Sequence, residues 1–493
     1  MRRISLIALA ALVVVAGCAV GPDYKRPEVD TPDTFRNQLG EAEMASLADL
    51  PWWEIYQDEI LRSLVKESLE HNYDLLAAAA RVEQARAQVG IARSEIFPQV
   101  GYQGGAQRGA TFFGTTPNQT FNTFLGSFNL AWELDVWGRI RRSSEAALDQ
   151  LLATEDFRRA VVQSLVSDVA TAYFDLLELD LELEIARRST ESFAQTLQLF
   201  ERQYLGGVGN KLETSRALAA LAQTAAAIPS LENQIVAKEN QLSILLGRYP
   251  GPIPRGKPLI EQEMPAQTPP GLPSTLLERR PDIHQAEETM AAANALVGVS
   301  VANFFPRIGL TSLYGGQSTM LENVVKGPGN IWAIAAQITG PLFQGGALLE
   351  SYNQQLASRQ QAKVQWAESI ITAFAEVSDS LTAEQKLVTV RKEQTVAVEA
   401  LREAVRLSTL RYSGGLANYY EVLEAQQQLF PAENNLAQTI RNQLLATVQL
   451  YKALGGGWSA GDFSPPGWFE FAQVCREPTD YSDAVEPAEP ATP

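Results

Sequence analysis

The chain has 493 residues, with 57 acidic against 40 basic side chains, a net charge of −17 and only two cysteines, Cys18 and Cys475. That charge argues against nucleic acid as a partner, because phosphates call for a basic face. Two cysteines exclude a disulfide framework. Two histidines and scattered carboxylates leave no cluster at metal-ligand spacing. There is no HExxH and no P-loop with its closing Ser or Thr. No nucleophile–base pair is legible, so neither an enzyme nor a cofactor is expected.

The chain opens like an export signal. Arg2 and Arg3 precede an apolar run to Ala16 broken only by Ser5, and small residues lead up to Cys18. The run is short for a bilayer span, so a retained membrane helix is the weaker reading. "VAGC" resembles a bacterial lipobox, which predicts cleavage after residue 17 and a lipid on the Cys18 thiol. Ala19, which is not Asp, fits sorting to the outer membrane. An ordinary signal peptide whose cut leaves a cysteine nearby stays open. Residues 18–60 then form a lipid-anchored N-terminal segment.

The rest of the chain is one unit written twice. A shift of 208 residues overlays Asp74 on Asp282, Phe97-Pro98 on Phe305-Pro306, Gly138 on Gly346, Gly206-Gly207 on Gly414-Gly415 and Leu246-Gly247 on Leu454-Gly455. The repeats span 61–250 and 274–457, with a proline-rich linker at 251–273. Each begins with a helical stretch, Leu61 to Ile96 in the first, rich in Ala, Arg and Gln.

Two short segments rich in Gly and aromatics follow, at 97–135 and 305–342. Val100, Tyr102, Gly104 and Ala106 share one parity, and Gln99, Gln103 and Gln107 the other. Phe124, Phe128, Leu130, Trp132 and Leu134 lie opposite Ser127, Asn129, Glu133 and Asp135. Period-two alternation marks strands with one apolar and one polar face. Such segments fit a transmembrane barrel or a soluble sheet lying on a core. In lipid, two hairpins give too few strands for closure, and open edges cannot sit in hydrocarbon. The strand count therefore predicts an oligomer without fixing its number.

Next come stretches without Gly or Pro, Arg139 to Leu205 and Ala347 to Ser413. From Leu165 to Tyr204 apolar residues step by four and three with only Thr190 interrupting, which is a heptad seam. Taken alone, these stretches also fit a plain coiled-coil rod. Each repeat ends in a further helical stretch, Lys211 to Leu246 and Leu416 to Leu454, which Pro229 and Pro431 are expected to kink or interrupt. The tail at 458–493 is acidic and proline-rich and reads as disordered.

"CAVGPDYKRPEV", "PWWEIYQDEIL" at 51–61, the tandem units and "LRYSGGLANYYEVLEAQQQLF" at 410–430 together resemble the outer membrane factor family, TolC-like channels, in its NodT-type lipoprotein branch. The resemblance implies a mainly α fold with a transmembrane β part: a homotrimeric 12-stranded barrel, four strands per chain, continuous with a periplasmic α-helical coiled-coil barrel. It implies an outer-membrane exit duct for small molecules in a tripartite efflux system, with a periplasmic adaptor protein and an inner-membrane pump of the resistance-nodulation-division type as partners. A channel for type I protein secretion is the nearest alternative, and a periplasmic coiled-coil lipoprotein without a pore the next.

By motif position, the helix tips Leu205, Gly206, Gly207, Val208, Ser413, Gly414, Gly415 and Leu416 are implied to bind the adaptor. Glu421 and Glu424, three apart on one helix face, match acidic rings that constrict the pore; a solvated outer face is the alternative. Tyr412 and Glu213 match positions that link neighbouring helices in the shut channel. A family arginine of that lock corresponds to Ala417 here.

Overall fold

The computed structural model describes residues 19–38, 46–110, 120–263 and 270–458. Cys18, the segment before it, Cys475 and the tail from Ser459 lie outside the described residues, and with them the expected signal, lipidated thiol and disordered tail. The main elements are α1 (Glu59–His71), α2 (Tyr73–Ser94), β1 (Gln99–Ala110), β2 (Thr120–Leu134), α3 (Arg139–Leu205), α4 (Lys211–Leu245), α5 (Pro281–Ala302), β3 (Arg307–Ser318), β4 (Asn330–Thr339), α6 (Ala347–Ser413) and α7 (Tyr420–Ala453).

The duplication is visible in the backbone. Adding 208 to the bounds of α2, β1 and α3 gives those of α5, β3 and α6 to the residue. Gly138, Gly207 and Gly247, at φ 78°, 73° and 70°, recur as Gly346, Gly415 and Gly455 at 90°, 69° and 86°. A side chain is disfavoured in that left-handed region, so glycine marks the same junctions in both repeats.

Two expectations need correction. The stretch from Leu61 to Ile96 is two helices, not one. Asn72 between them is extended, at φ −63° and ψ 129°, and its side-chain amide donates to the Leu245 carbonyl at 3.0 Å. The 208-residue shift carries this break to Arg280, also extended, at φ −80° and ψ 118°. Pro229 and Pro431 do not interrupt their helices, since α4 and α7 run through them. Both prolines are exposed, so water can reach the carbonyls that lose their N–H partner.

The chain forms two compact units. The first holds the sheet, α2, α5 and the opening parts of α3 and α6. An extended strap follows its surface from Ala19. Val20 N–H donates to the Trp137 carbonyl at 3.0 Å, Asn294 Nδ2 to the Pro22 carbonyl at 2.9 Å, and Arg142 meets Asp23 at 2.6 Å. Ala19 packs against Gly138, where a Cβ would lie 2.6 Å from the alanine methyl.

In the second unit the heptad seam is buried at Leu165, Val169, Ala172, Leu176, Leu183, Ala186, Phe193 and Phe200, and Tyr204 at its end is exposed. A polar ladder ties α3 to α7. Ser192 meets Gln426 at 3.0 Å, Arg188 meets Glu433 at 2.8 Å, Glu182 meets Gln438 at 2.9 Å and Glu178 meets Arg441 at 2.8 Å. Numbers fall on one helix as they rise on the other, so the two run antiparallel. Glu433 is the anchor of this ladder. It is 5% exposed and holds Arg188 of α3 together with Arg402 of α6, the latter at 2.7 Å.

The linker is fastened rather than loose, and Asp58 is the fastening. Its buried carboxylate accepts from Ile60 and Leu61 N–H at the start of α1, at 2.8 and 3.2 Å. It also accepts from the Tyr173 hydroxyl on α3 at 3.0 Å, Lys257 N–H at 3.1 Å and Gln262 Nε2 at 2.7 Å. Burial acts to raise the Asp58 carboxyl, but the donors from Gln262, Tyr173, Leu61 and Ile60 prevail and hold it below its ordinary value.

A carboxyl depressed in the folded state stabilises the fold above its unfolded value of about 3.9, and that contribution is lost as pH falls through the folded value. Asp58→Asn is therefore expected to cost about 2 kcal/mol at neutral pH, by leaving buried donors unpaired, and to flatten the acid side of the stability profile below about pH 4. Thermal melts from pH 7 to 3 read both effects. For Glu433, removing Arg188 and Arg402 together should cost about 3 kcal/mol, because a buried carboxylate is left unanswered. Glu433→Gln should cost about 1 kcal/mol, because two half-exposed guanidiniums return to water. Denaturation of these two variants tests that order.

Candidate functional site

The first candidate surface is the sheet. Its order is β1-β2-β3-β4, all antiparallel, so among the described residues β1 and β4 each have one unpaired edge. Pairing brings Tyr102, Phe128, Tyr314 and Trp332 into one row across all four strands. These rings are 86%, 64%, 60% and 72% exposed. The next row on that face is Val100, Leu130, Ser312 and Ile334, and nearer the helices come Trp132, Leu310 and Ala336, then Leu134, Ile308 and Ile338. The opposite face carries Gln99, Gln103 and Gln107 with Ser127, Asn129 and Thr311.

At the helix end of the strands a second aromatic group gathers. Trp137 stacks on Phe305 at 4.6 Å and donates to the Pro306 carbonyl at 2.8 Å. Trp132 donates to the Ile96 carbonyl at 2.8 Å. From Phe305 to Tyr314 a strand rises about 30 Å. Tilted by about 40°, that is close to the ~25 Å apolar band between the aromatic girdles of membrane barrels. The face is apolar, its aromatic row is exposed, and aromatics stand at both margins, which is how a lipid-facing wall is built.

The second candidate surface is the pair of helix turns. Leu205, Gly206, Gly207 and Val208 form one tip, closed by Val208 N–H to the Gln203 carbonyl at 3.0 Å. Ser413, Gly414, Gly415 and Leu416 form the other, closed by Leu416 N–H to the Arg411 carbonyl at 2.9 Å. Leu205, Val208 and Leu416 stand exposed. Behind the tips Phe193, Phe200, Tyr419, Val422 and Leu423 form a buried cluster, with Tyr412 against it. The Phe200 and Tyr419 ring centroids are 3.9 Å apart, and the Tyr419 phenol is pushed up to about 12, chiefly by burial.

Glu421 and Glu424 are both exposed near the start of α7, with Val422 and Leu423 buried between them. Arg411 approaches Glu421 at 3.5 Å, while among the described residues Glu424 meets no cation and accepts only from Gln428 at 3.4 Å. Tyr412 donates to Gln203 on α3 at 2.7 Å. Glu213 sits in a capping box with Asn210, whose Oδ1 accepts from Glu213 N–H at 3.0 Å. The two tips stand over one buried cluster, to which α3, α4 and α7 all contribute. Gln203 and the Phe200–Tyr419 pair were missed because nothing in residue spacing says which side chains of two distant segments meet, and Arg411 because it meets Glu421 across a turn. Gly457 and Ser459 have the spacing of a hydrolase nucleophile turn, but that turn follows a strand and Gly457 follows α7. Among the described residues no group of His, Cys, Asp and Glu could hold a metal ion.

The outer membrane efflux protein family matches residues 64–248 and again 272–456. The solvent efflux pump outer membrane protein SrpC of Pseudomonas putida is 34% identical over 458 residues, covering 91% of this chain and 97% of that protein. The cation efflux system protein CusC of Escherichia coli is 31% identical over 463 residues, covering 93% and 100%. The open-state structure of the MtrE outer membrane channel of Neisseria gonorrhoeae superposes with a TM-score of 0.81 at 29% identity, covering 89% of this chain and 98% of that one. With both repeats matched over their length, the chain belongs to the outer membrane efflux protein family.

Proposed function

We propose that three copies of this chain form a passive exit duct through the outer membrane for a tripartite efflux system. Each copy lends four strands to a barrel of about twelve, and the long helices form a conduit in the periplasm. A 67-residue helix such as α3 is about 100 Å long at 1.5 Å per residue. A lipid on Cys18 anchors the N-terminus, and the strap carries Ala19 to Gly138, beside the start of α3. An inner-membrane pump supplies the energy, an adaptor docks on the two tips, and this chain does no chemistry. Relatives named for solvent and cation efflux support the transport class.

The observation that carries the proposal is the sheet: its apolar face presents an exposed aromatic row, and among the described residues its two outer strands are each paired on one side only. Apolar side chains left open on α4 (Leu218, Val236, Ile244) and on α6 (Val388, Val396, Leu407) agree with helix contacts between copies. The internal repeat also supplies a register for the missing strand pair. β2 meets β3 with Phe128 opposite Tyr314. Moving Phe128 forward and Tyr314 back by 208 residues puts Ala336 of one copy opposite Ala106 of the next. The same shift maps the observed Tyr102–Phe128 pair onto the observed Leu310–Ala336 pair.

Cysteines at Ala106 and Ala336, in a chain with Cys475→Ser, should crosslink copies into species up to trimers on a non-reducing gel. The pair at Ala106 and Ala335 should not, since those residues point to opposite faces. Monomer alone from the first pair would reject the closed barrel. The acidic tip is tested by conductance. With Glu421 answered by Arg411, Glu424→Gln should reduce cation preference on the order of twofold in a planar bilayer, and Glu421→Gln by less. An unchanged reversal potential in the double variant removes both residues from the selectivity ring.

A further inference from the structure

The connection between β3 and β4, residues 319–329, does not project beyond the sheet. Two short 3-10 turns, Leu321–Asn323 and Gly327–Gly329, fold it back onto its own strands. Glycines report which face it covers. Gly316 lies in the row Gly104, Gly126, Gly316 and Asn330, two residues along from the aromatic row and therefore on the same apolar face. A methyl group on Gly316 would collide with the Val324 carbonyl oxygen, and one on Gly126 would touch Val324 Cγ1 at 3.5 Å. Gly315 points the other way. A methyl there would lie 2.7 Å from Ser127 Cβ on the paired strand, against about 4.5–5.5 Å for an ordinary cross-strand pair. The connection therefore lies on the apolar side of the sheet.

The connection presents its own apolar residues outward. Met320, Leu321 and Val325 are 59%, 67% and 94% exposed. Its two charges, Glu322 and Lys326, are paired with each other at 3.6 Å. The surface it extends holds Tyr314 and Phe128, whose rings suit the boundary between lipid and water.

We propose that residues 319–329 form an interfacial flap, lying on the outer wall of the barrel and dipping Met320, Leu321 and Val325 into the lipid of the outer leaflet. The flap rests on the duct reading, because it needs the apolar face to meet lipid. Its occupant is lipid because the flap continues that face without a break. Gly316 is glycine because the flap backbone occupies the space of a side chain.

The test uses full-length protein in phospholipid vesicles, with Cys475→Ser and one new cysteine at Leu321 or Val325 carrying a polarity-sensitive dye. Protein without a new cysteine gives the background. Dyes at Ile334, on the apolar face, and at Val208, on a helix tip, serve as references. For a segment about 5–10 Å into the boundary, the flap dyes should lose roughly half their emission to brominated lipid and little to aqueous iodide, like Ile334 and unlike Val208. Flap dyes quenched by iodide alone, with Ile334 still quenched by brominated lipid, overturn the flap and leave the duct intact. If Ile334 also ignores brominated lipid, the apolar face does not meet lipid, and both readings fall.

Discussion

An unpaired backbone edge cannot be left in hydrocarbon. There water is absent, and each orphaned N–H or C=O costs several kcal/mol. Among the described residues the four-stranded sheet has two such edges and an apolar face whose aromatic row stands exposed. Extending the hydrogen-bonded ladder removes the edges, and the duplicated sequence supplies matching ones. β3 and β4 are a second copy of β1 and β2, so the free edge of β4 resembles the edge that β2 already offers to β3. On the duct reading, the contact between repeats within one chain is then a template for a contact between chains. Closure needs no new chemistry, only repetition of a pairing the structure already contains.

In water the long helices face a different demand. A solvated helix satisfies its own backbone, so what must be arranged is the side-chain surface. Along α3 the seam of Leu, Val, Ala and Phe removes apolar area from water. The ladder with α7 adds direction, since each rung joins particular partners and a slip of one turn would separate them. Glu433 is the clearest case. A carboxylate buried to 5% exposure is tolerable only where cations reach it, and Arg188 and Arg402 do so from two different helices. The rung thereby fixes three helices against one another.

Much of this was legible before any coordinates. The offset of 208 residues, the breaker-free runs and the alternating strands follow from periodicity, and periodicity is a local property of the chain. The strands were also legible by face, because alternation survives whatever the sheet packs against. The break at Asn72 was not. It depends on a hydrogen bond to Leu245, 173 residues away, and the Ala-rich sequence around it favours helix throughout. The prolines of α4 and α7 do not end their helices, for a related reason. Their cost falls on a carbonyl that water can satisfy, and exposure is a tertiary fact. Arg411 was overlooked as a partner of Glu421 because the turn that brings them together lies between them in sequence.

That last pair bears on how the tips hold together. The resemblance implies a lock arginine at the position where this chain has Ala417. Arg411 answers Glu421 within the same chain, Tyr412 reaches Gln203 within the same chain, and Glu213 caps its own helix. The aromatic cluster of Phe200, Tyr412 and Tyr419 is likewise internal to one copy. On the duct reading, each tip pair is a coherent body held by contacts within its own chain. Exposed ion pairs such as Arg411–Glu421 contribute little in water, so the coherence rests mainly on the buried rings. Separating one copy's tips from the next then leaves that cluster intact. The closed mouth of such a duct would yield to a docking partner at the seams, with the folded tips moving as units.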